Sequence, residues 1–346
     1  MIERLTSGLW SMRVPMPDNP LGYTLVYVLE SDRGPVLVDT GWDADVGWEA
    51  LTEGLVAAGS SVHEVYGVLA THHHTDHAGL VGRVREASGA WVAMHEADTR
   101  ILHHTAAAMN PDVDSDEAHR WRSDPRGTGM LVAAGAGDEV IARVESAGHT
   151  RFRPPALPDR DLADGELVDV PGRRVRAIWT PGHTPGHMCF YLEDANRLLS
   201  GDHVLPVITP HVPLFPIRDR KDADPLGDYL ASLSRVGDMA TVEVLPAHEH
   251  RFEGLEDRTK EIIEHHQERL RQVLDDLDKG PRTLWQIAQG MQWNTAWDVM
   301  SPFMWRMAVG EAAAHVRHLE SHGRVVAVPA DGVLRFAKED GASVAR

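Results

Sequence analysis

Apolar residues recur along the chain with two periods, and the switches between them mark the elements. Residues 24–29 (Thr-Leu-Val-Tyr-Val-Leu) and 36–39 (Val-Leu-Val-Asp) flank Asp32-Arg33-Gly34-Pro35, which predicts two strands around a turn. Residues 44–58 set Val46, Trp48, Leu51, Leu55 and Val56 at helical spacing. A short buried strand is predicted over Tyr66–Ala70, a helix from about Asp76 to Ser88, and a strand over Trp91–Met94. From about 96 to 164 the pattern changes to helical patches (Asp116–Trp121, Glu139–Ser146) and turn-rich stretches (Asp124-Pro125-Arg126-Gly127, Arg153-Pro154-Pro155), which reads as an insertion rather than sheet. Strands return at Glu166–Val170, Val175–Trp179, Cys189–Leu192, Arg197–Ser200 and Val242–Leu245. A long helix over 255–278 is broken by Gly280-Pro281, and helices at 284–291, 300–309 and 311–322 lead into two strands around Asp331-Gly332. That final order predicts a winged helix.

Strands and helices alternate through most of 20–250, so the class is α/β, and each polar motif sits just past a strand, where layered α/β folds bind ligands. The expected division is a catalytic domain over 1–254, carrying the insertion at about 96–164, and a linker helix with a winged-helix-like domain over 255–346.

The densest motif is Thr71-His72-His73-His74-Thr75-Asp76-His77. In extended backbone, residues two apart point the same way, so His72 and His74 can grip one ion. Asp76 and His77 lie at the turn into a helix and face a neighbouring position. His183 in Pro181-Gly182-His183, Asp202 in Gly201-Asp202 and His248 in Pro246-Ala247-His248 each follow a strand. Any one of these alone is ordinarily a loop histidine or a capping aspartate; together they complete a ligand set. Imidazole and carboxylate suit Zn²⁺, and also Fe and Mn. A carboxylate such as Asp202 can bridge two ions, as two-metal sites require.

In this order, Asp39-Thr40-Gly41, the His72-to-His77 motif, Pro181-Gly182-His183-Thr184, Gly201-Asp202 and Pro246-x-His248 resemble the metallo-β-lactamase superfamily over roughly residues 20–250. The resemblance implies an αββα sandwich with two divalent metal ions. It places His72, His74 and His183 at the first site, Asp76, His77 and His248 at the second, and Asp202 between them. Gly186-His187 resembles the glyoxalase II branch. The C-terminal module and His265-His266 resemble lactamase-like hydrolases that carry a winged helix. The last motif reads Ala247-His248-Glu249 where the family commonly has Gly-His-Gly. Asp202 stands where many zinc β-lactamases have Cys or Ser, which makes antibiotic hydrolysis an unexpected task.

No protein nucleophile is evident: Cys189 falls in an apolar strand pattern, and there is no Gly-x-Ser-x-Gly elbow. The nucleophile is therefore expected to be water, whose pKa falls to about 7 on zinc, with Asp76 orienting or deprotonating it and the second ion polarising the substrate. Asp39 is a candidate acceptor for a ligand imidazole, and His187 a candidate for the same supporting role or for substrate contact. His95, His203, His211 and His250 are weaker candidates to line the site. Three functions compete: hydrolysis of a thioester, ester or lactone; phosphodiester or RNA cleavage; and oxygenation of a persulfide by a single iron.

Composition narrows the choice. A net charge of -18 opposes nucleic-acid binding, which rests on Lys and Arg displacing counterions. Residues 281–346 hold seven basic against six acidic residues, which is not a DNA-binding footprint and points to buttressing or a homodimer contact instead. In the insertion, Met109, Trp121, Met130, Leu131, Val132, Val140 and Ile141 mixed with Arg120, Arg122 and Arg126 suit a small or medium organic substrate with an apolar part and an acidic group. The single cysteine fits a reducing compartment, Glu3 near the start with no apolar run after it gives no signal peptide, and no membrane-length apolar stretch occurs, so a cytoplasmic protein is expected.

Overall fold

The computed structural model describes residues 2–110, 112–114, 128–146, 155–214, 222–330 and 332–339. The chain forms two compact units, one of residues 1–107, 152–210 and 232–259, the other of residues 108–151, 211–231 and 260–346.

The first unit holds two mixed sheets. One has seven strands in the order β1 (Ile2–Thr6), β2 (Leu9–Pro15), β3 (Tyr23–Leu29), β4 (Val36–Val38), β5 (Gly67–Leu69), β6 (Trp91–His95) and β7 (Arg160–Leu162). The first four pair antiparallel, and β4 through β7 pair parallel. The other sheet runs β12 (Glu243–Pro246), β11 (Arg197–Gly201), β10 (Met188–Leu192), β9 (Val175–Trp179), β8 (Leu167–Val168).

Period-two alternation decides which face each side chain takes. Along β3, Leu25, Tyr27 and Leu29 join Val36, Val38, Ala177, Met188, Phe190, Leu192, Leu199 and Leu245 in the core between the sheets. Val26 and Val28 point the other way and pack with Leu37, Leu51, Leu55, Val81 and Val84, under the helices Asp45–Ala57 and Val81–Ser88. Each such side chain, fully buried, contributes about 1.5–3 kcal/mol. This is the sandwich expected from the sequence. Its consequence for chemistry is positional: Asp39, Thr71–His77, Thr180–His187, Asp202 and His248 all follow the C-terminal ends of strands β4, β5, β9, β11 and β12.

Several expectations change. The helix expected over 76–88 is two, Thr75–Ala78 and Val81–Ser88. They part at Gly79, where a Cβ would lie 2.3 Å from the Thr75 carbonyl oxygen and 2.7 Å from the Asp43 nitrogen, and Leu80 N–H donates to Gly41 O instead. The region 96–164 is not without sheet: Arg160–Leu162 closes the seven-stranded sheet beside β6. Three residues with two charges carry no period-two signal; the β6 edge supplies the register. The helices expected at 300–309 and 311–322 are one, Pro302–Ser321, in which Gly310 is buried. It starts with Ser301 accepting from Met304 N–H and Pro302 in the first turn, an ordinary N-terminus. The strands Ile2–Thr6 and Leu9–Pro15 and the helices Glu96–Met109, Thr128–Ala133 and Pro225–Gly237 were not anticipated. The patch Glu139–Ser146 is the helix Asp138–Ser146. Asp116–Trp121, Asp124–Gly127, Arg153-Pro154 and Asp331 lie outside the described residues, as do Arg120, Arg122, Arg126, Asp340 and Arg346.

In the second unit, the helices Leu284–Gly290 and Pro302–Ser321 pack with Val273 and Leu277 around Trp285, Trp305 and Met300. A three-stranded antiparallel sheet completes it, in the order β13 (Arg282–Thr283), β15 (Val333–Lys338), β14 (Val325–Ala330). Among the described residues, no helix is long and apolar enough to cross a membrane.

Candidate metal centre

Two trios of potential ligands converge at these strand ends. In the first, His74 Nδ1 lies 2.9 Å from His72 Nε2 and 3.1 Å from His183 Nε2. In the second, Asp76 Oδ2 lies 3.7 Å from His77 Nε2 and 3.5 Å from His248 Nε2. Asp202 touches both: its Oδ2 is 3.4 Å from His77 Nε2 and 3.6 Å from His183 Nε2, and its Oδ1 is 3.3 Å from His248 Nε2. All seven residues singled out in the sequence therefore meet.

In three of the rings the outer nitrogen is already engaged, which fixes the ring and leaves the inner one for a ligand. His77 Nδ1 is 2.9 Å from Asp39 Oδ2, His72 Nδ1 is 3.0 Å from Thr71 Oγ1, and His248 Nδ1 is 3.1 Å from the Tyr23 carbonyl oxygen. Asp39 also accepts from Thr71 N–H at 2.8 Å, and it takes φ 60°, a conformation that aspartate tolerates better than most residues. His187 is fully buried; its Nε2 accepts the Asp202 backbone N–H at 3.1 Å while its Nδ1 meets Thr180 Oγ1 at 2.8 Å. It thus supports Asp202 and presents no face to a substrate. Gly201 is required beside it, because a Cβ there would sit 2.7 Å from His187 Nε2.

At the last motif, Glu249 occupies φ 66°, a left-handed position that favours glycine. Its side chain compensates: Oε2 accepts from Val207 N–H and Ile208 N–H, and its carbonyl accepts from Tyr23 O–H.

The electrostatics divide the trios. Burial, reinforced by the neighbouring imidazoles, holds His72 and His74 well below the usual histidine range, so both are neutral and ready to donate a lone pair. In the second trio burial is outweighed. The carboxylates of Asp202 and Asp76 push His77 up and raise His248 to about 10, while burial of Asp202 is overcome by His248 and His77, which hold it well below the carboxylate range. That trio is built to hold positive charge.

The donor set fits metal ions. His77 Nε2, His248 Nε2 and Asp202 Oδ1 are buried and make no hydrogen bond among the described residues; they meet as ion pairs at 3.3 and 3.4 Å, an arrangement that a ligand can complete. The three imidazoles of the first trio converge on His74 Nδ1 at 2.9 and 3.1 Å, and neutral imidazole with carboxylate is a donor set that zinc, iron and manganese accept.

Sequence reasoning missed Asp98. It is fully buried in the first turn of the helix Glu96–Met109 and accepts from His73 N–H and His73 Nδ1 at 2.9 Å, from Thr184 O–H at 2.8 Å and from Gly186 N–H at 2.7 Å. The extra imidazole, His73, is thereby part of a clamp. A lone aspartate three residues past a strand looks like a helix-start acid, and nothing in the sequence set it apart. Among the weaker candidates, His95 stacks on Trp179 at 4.9 Å and His211 Nε2 meets the Met307 carbonyl. Cys189 is buried, and its thiol is pushed up to about 12 by burial.

Comparison with known proteins agrees with this arrangement. The profile of the metallo-beta-lactamase superfamily matches residues 19–250. The lactamase-like protein adaB of Aspergillus niger is 29% identical over 257 residues, 74% of this chain and 59% of its own length. The lactamase-like protein nscB of Aspergillus fumigatus is 31% identical over 159 residues, 46% of this chain and 43% of its own. The chain thus matches less than two thirds of either relative. A solved metallo-beta-lactamase family protein from Thermus thermophilus superposes with a TM-score of 0.76 at 30% identity, covering 97% of this chain and all of that one. A beta-lactamase domain protein from Burkholderia ambifaria gives 0.73 at 26% identity, covering 97% and 94%.

Proposed function

The chain belongs to the metallo-β-lactamase superfamily, and from that premise we propose that it is a dinuclear, zinc-dependent hydrolase of a thioester, ester or lactone. The observation that carries the dinuclear reading is Asp202, whose two oxygens reach histidines of both trios. His72, His74 and His183 would hold the first ion and Asp76, His77 and His248 the second, with Asp202 within reach of both. When bound, the ions supply an activated water and a Lewis acid for the substrate's carbonyl oxygen.

The protein's own part is positioning and proton handling. Asp39, Thr71 and the Tyr23 carbonyl fix the ligand rings, so little reorganisation accompanies the reaction. Of the two carboxylates Asp76 is the more exposed, at 18% against 12%, and its Oδ2 is the oxygen turned to His77 and His248. Asp76 would be the residue to orient the attacking water or take up its proton. Cys189, buried with a raised pKa, is no alternative nucleophile.

A carboxylic substrate is favoured over a phosphodiester because a chain of net charge -18 offers little to attract a polynucleotide. The second unit, with two helices followed by the β14–β15 hairpin, follows the order of a winged helix, and we read it as a packing module rather than a groove reader. The test is kcat/KM of zinc-loaded protein on an acyl thioester, a lactone, a carboxylic ester, an aryl phosphodiester and single-stranded RNA. The best carboxylic substrate is expected to exceed both phosphodiesters by more than about tenfold. Faster turnover of RNA or the aryl phosphodiester, abolished in Asp76→Ala, assigns the enzyme to phosphodiester cleavage instead.

A further inference from the structure

The two ligand-bearing loops of the first trio are joined through one carboxylate. Asp98 Oδ2 accepts from His73 N–H, His73 Nδ1 and Thr184 O–H, and Asp98 Oδ1 accepts from Gly186 N–H. Four donors thus converge on one buried carboxylate. His73 lies between His72 and His74, and Thr184 follows His183. The same carboxylate therefore sets where all three imidazoles of the first trio stand. The approach is close enough to demand glycine at 186: a Cβ there would fall 2.5 Å from Asp98 N and 2.7 Å from Asp98 Oδ1.

The second trio is anchored elsewhere. Asp39 holds His77 Nδ1 and Thr71 N–H. Thr24 O–H donates to the Asp76 carbonyl at 2.8 Å, and Thr40 N–H and Gly41 N–H donate to the His77 carbonyl at 2.7 and 3.1 Å. The loop His72–His77 is thus held by two carboxylates, Asp98 at His73 and Asp39 at Thr71 and His77.

We propose that Asp98 is the positioning residue of the first metal site, acting on His72, His74 and His183 through His73, Thr184 and Gly186. This rests on the reading of the two trios as metal ligands. In Asp98→Asn the side chain keeps its shape but gains an amide N–H₂. With its oxygen turned to the three donors on Oδ2, that N–H₂ meets Gly186 N–H, donor against donor, and the His183 loop loses its register.

The experiment titrates metal-free, full-length protein with Co²⁺ against a competing chelator, following the visible absorption of the bound ion. Wild type, Asp98→Asn, Thr184→Val and Asp39→Asn are compared, with circular dichroism to show that each is folded. In Asp98→Asn the first-site affinity is expected to fall about 10- to 100-fold, with a changed cobalt spectrum and second-site affinity held within about threefold. Thr184→Val shows a smaller loss at the same site, and Asp39→Asn, at a residue that meets His77 directly and His72 through Thr71, weakens the second site as well as the first. A folded Asp98→Asn that binds both ions as wild type does overturns the proposal, and so does an equal loss at both sites, which marks a merely structural support. If Asp98→Asn does not fold, Thr184→Val decides, and wild-type first-site affinity in it overturns the proposal. Wild-type protein that takes up no cobalt overturns the ligand reading as well; two ions in wild type with unchanged variants overturns the role of Asp98 alone.

Discussion

Asp202→Ala is expected to lower kcat/KM by roughly a thousandfold or more, a loss of about 4 kcal/mol of transition-state stabilisation, and to reduce the metal content from about two ions to about one. The effect is large because the residue acts at both trios. Its Oδ1 faces His248 Nε2 at 3.3 Å, and its Oδ2 faces His77 Nε2 at 3.4 Å and His183 Nε2 at 3.6 Å. Without it, the second trio keeps one carboxylate to balance its cation, and two neighbouring ions repel each other with no anion between them. Kinetics on the best substrate of the panel, with elemental analysis of the same preparation, checks both parts. Activity within about tenfold of wild type, with two ions retained, contradicts the bridging role.

Metal removal is the second large effect. Dialysis against a strong chelator is expected to abolish turnover and lower the melting temperature, with both restored by Zn²⁺. Ions that bind only the folded chain stabilise it by about 2.7 kcal/mol at a hundred times Kd, which for a unit of this size corresponds to a shift of roughly 5–10 °C. The metal-free site explains why the penalty is felt: His77 Nε2, His248 Nε2 and Asp202 Oδ1 are buried, make no hydrogen bond among the described residues and meet as ion pairs at 3.3 and 3.4 Å. A metal-free preparation that melts at the wild-type temperature and keeps its activity contradicts a structural and catalytic role for the ions.

The sandwich was legible because its strands alternate cleanly. Leu25, Tyr27 and Leu29 face one core, and Val26 and Val28 the other. The site residues were legible because each stands in a short motif directly after a strand. What the sequence hid depends on tertiary context. Arg160–Leu162 is a strand only because β6 offers it an edge. Gly310 reads as a helix break, yet it is buried inside one continuous helix and its carbonyl accepts from Leu214 N–H. Glu249 departs from the family's glycine, and its left-handed backbone is offset by two hydrogen bonds to Val207 and Ile208. Asp98 is hidden for the plainest reason: its partners lie 25 and 86 residues away along the chain.

Two metal ions are expected to share Asp202. The measurement that tests this most directly is a crystal structure of the zinc-soaked protein with anomalous scattering recorded at the zinc edge. The expected map shows two peaks about 3.5–4 Å apart, one against His72, His74 and His183, the other against Asp76, His77 and His248, with Asp202 between them. A single peak, with Asp76, His77 and His248 uncoordinated in excess zinc, contradicts it.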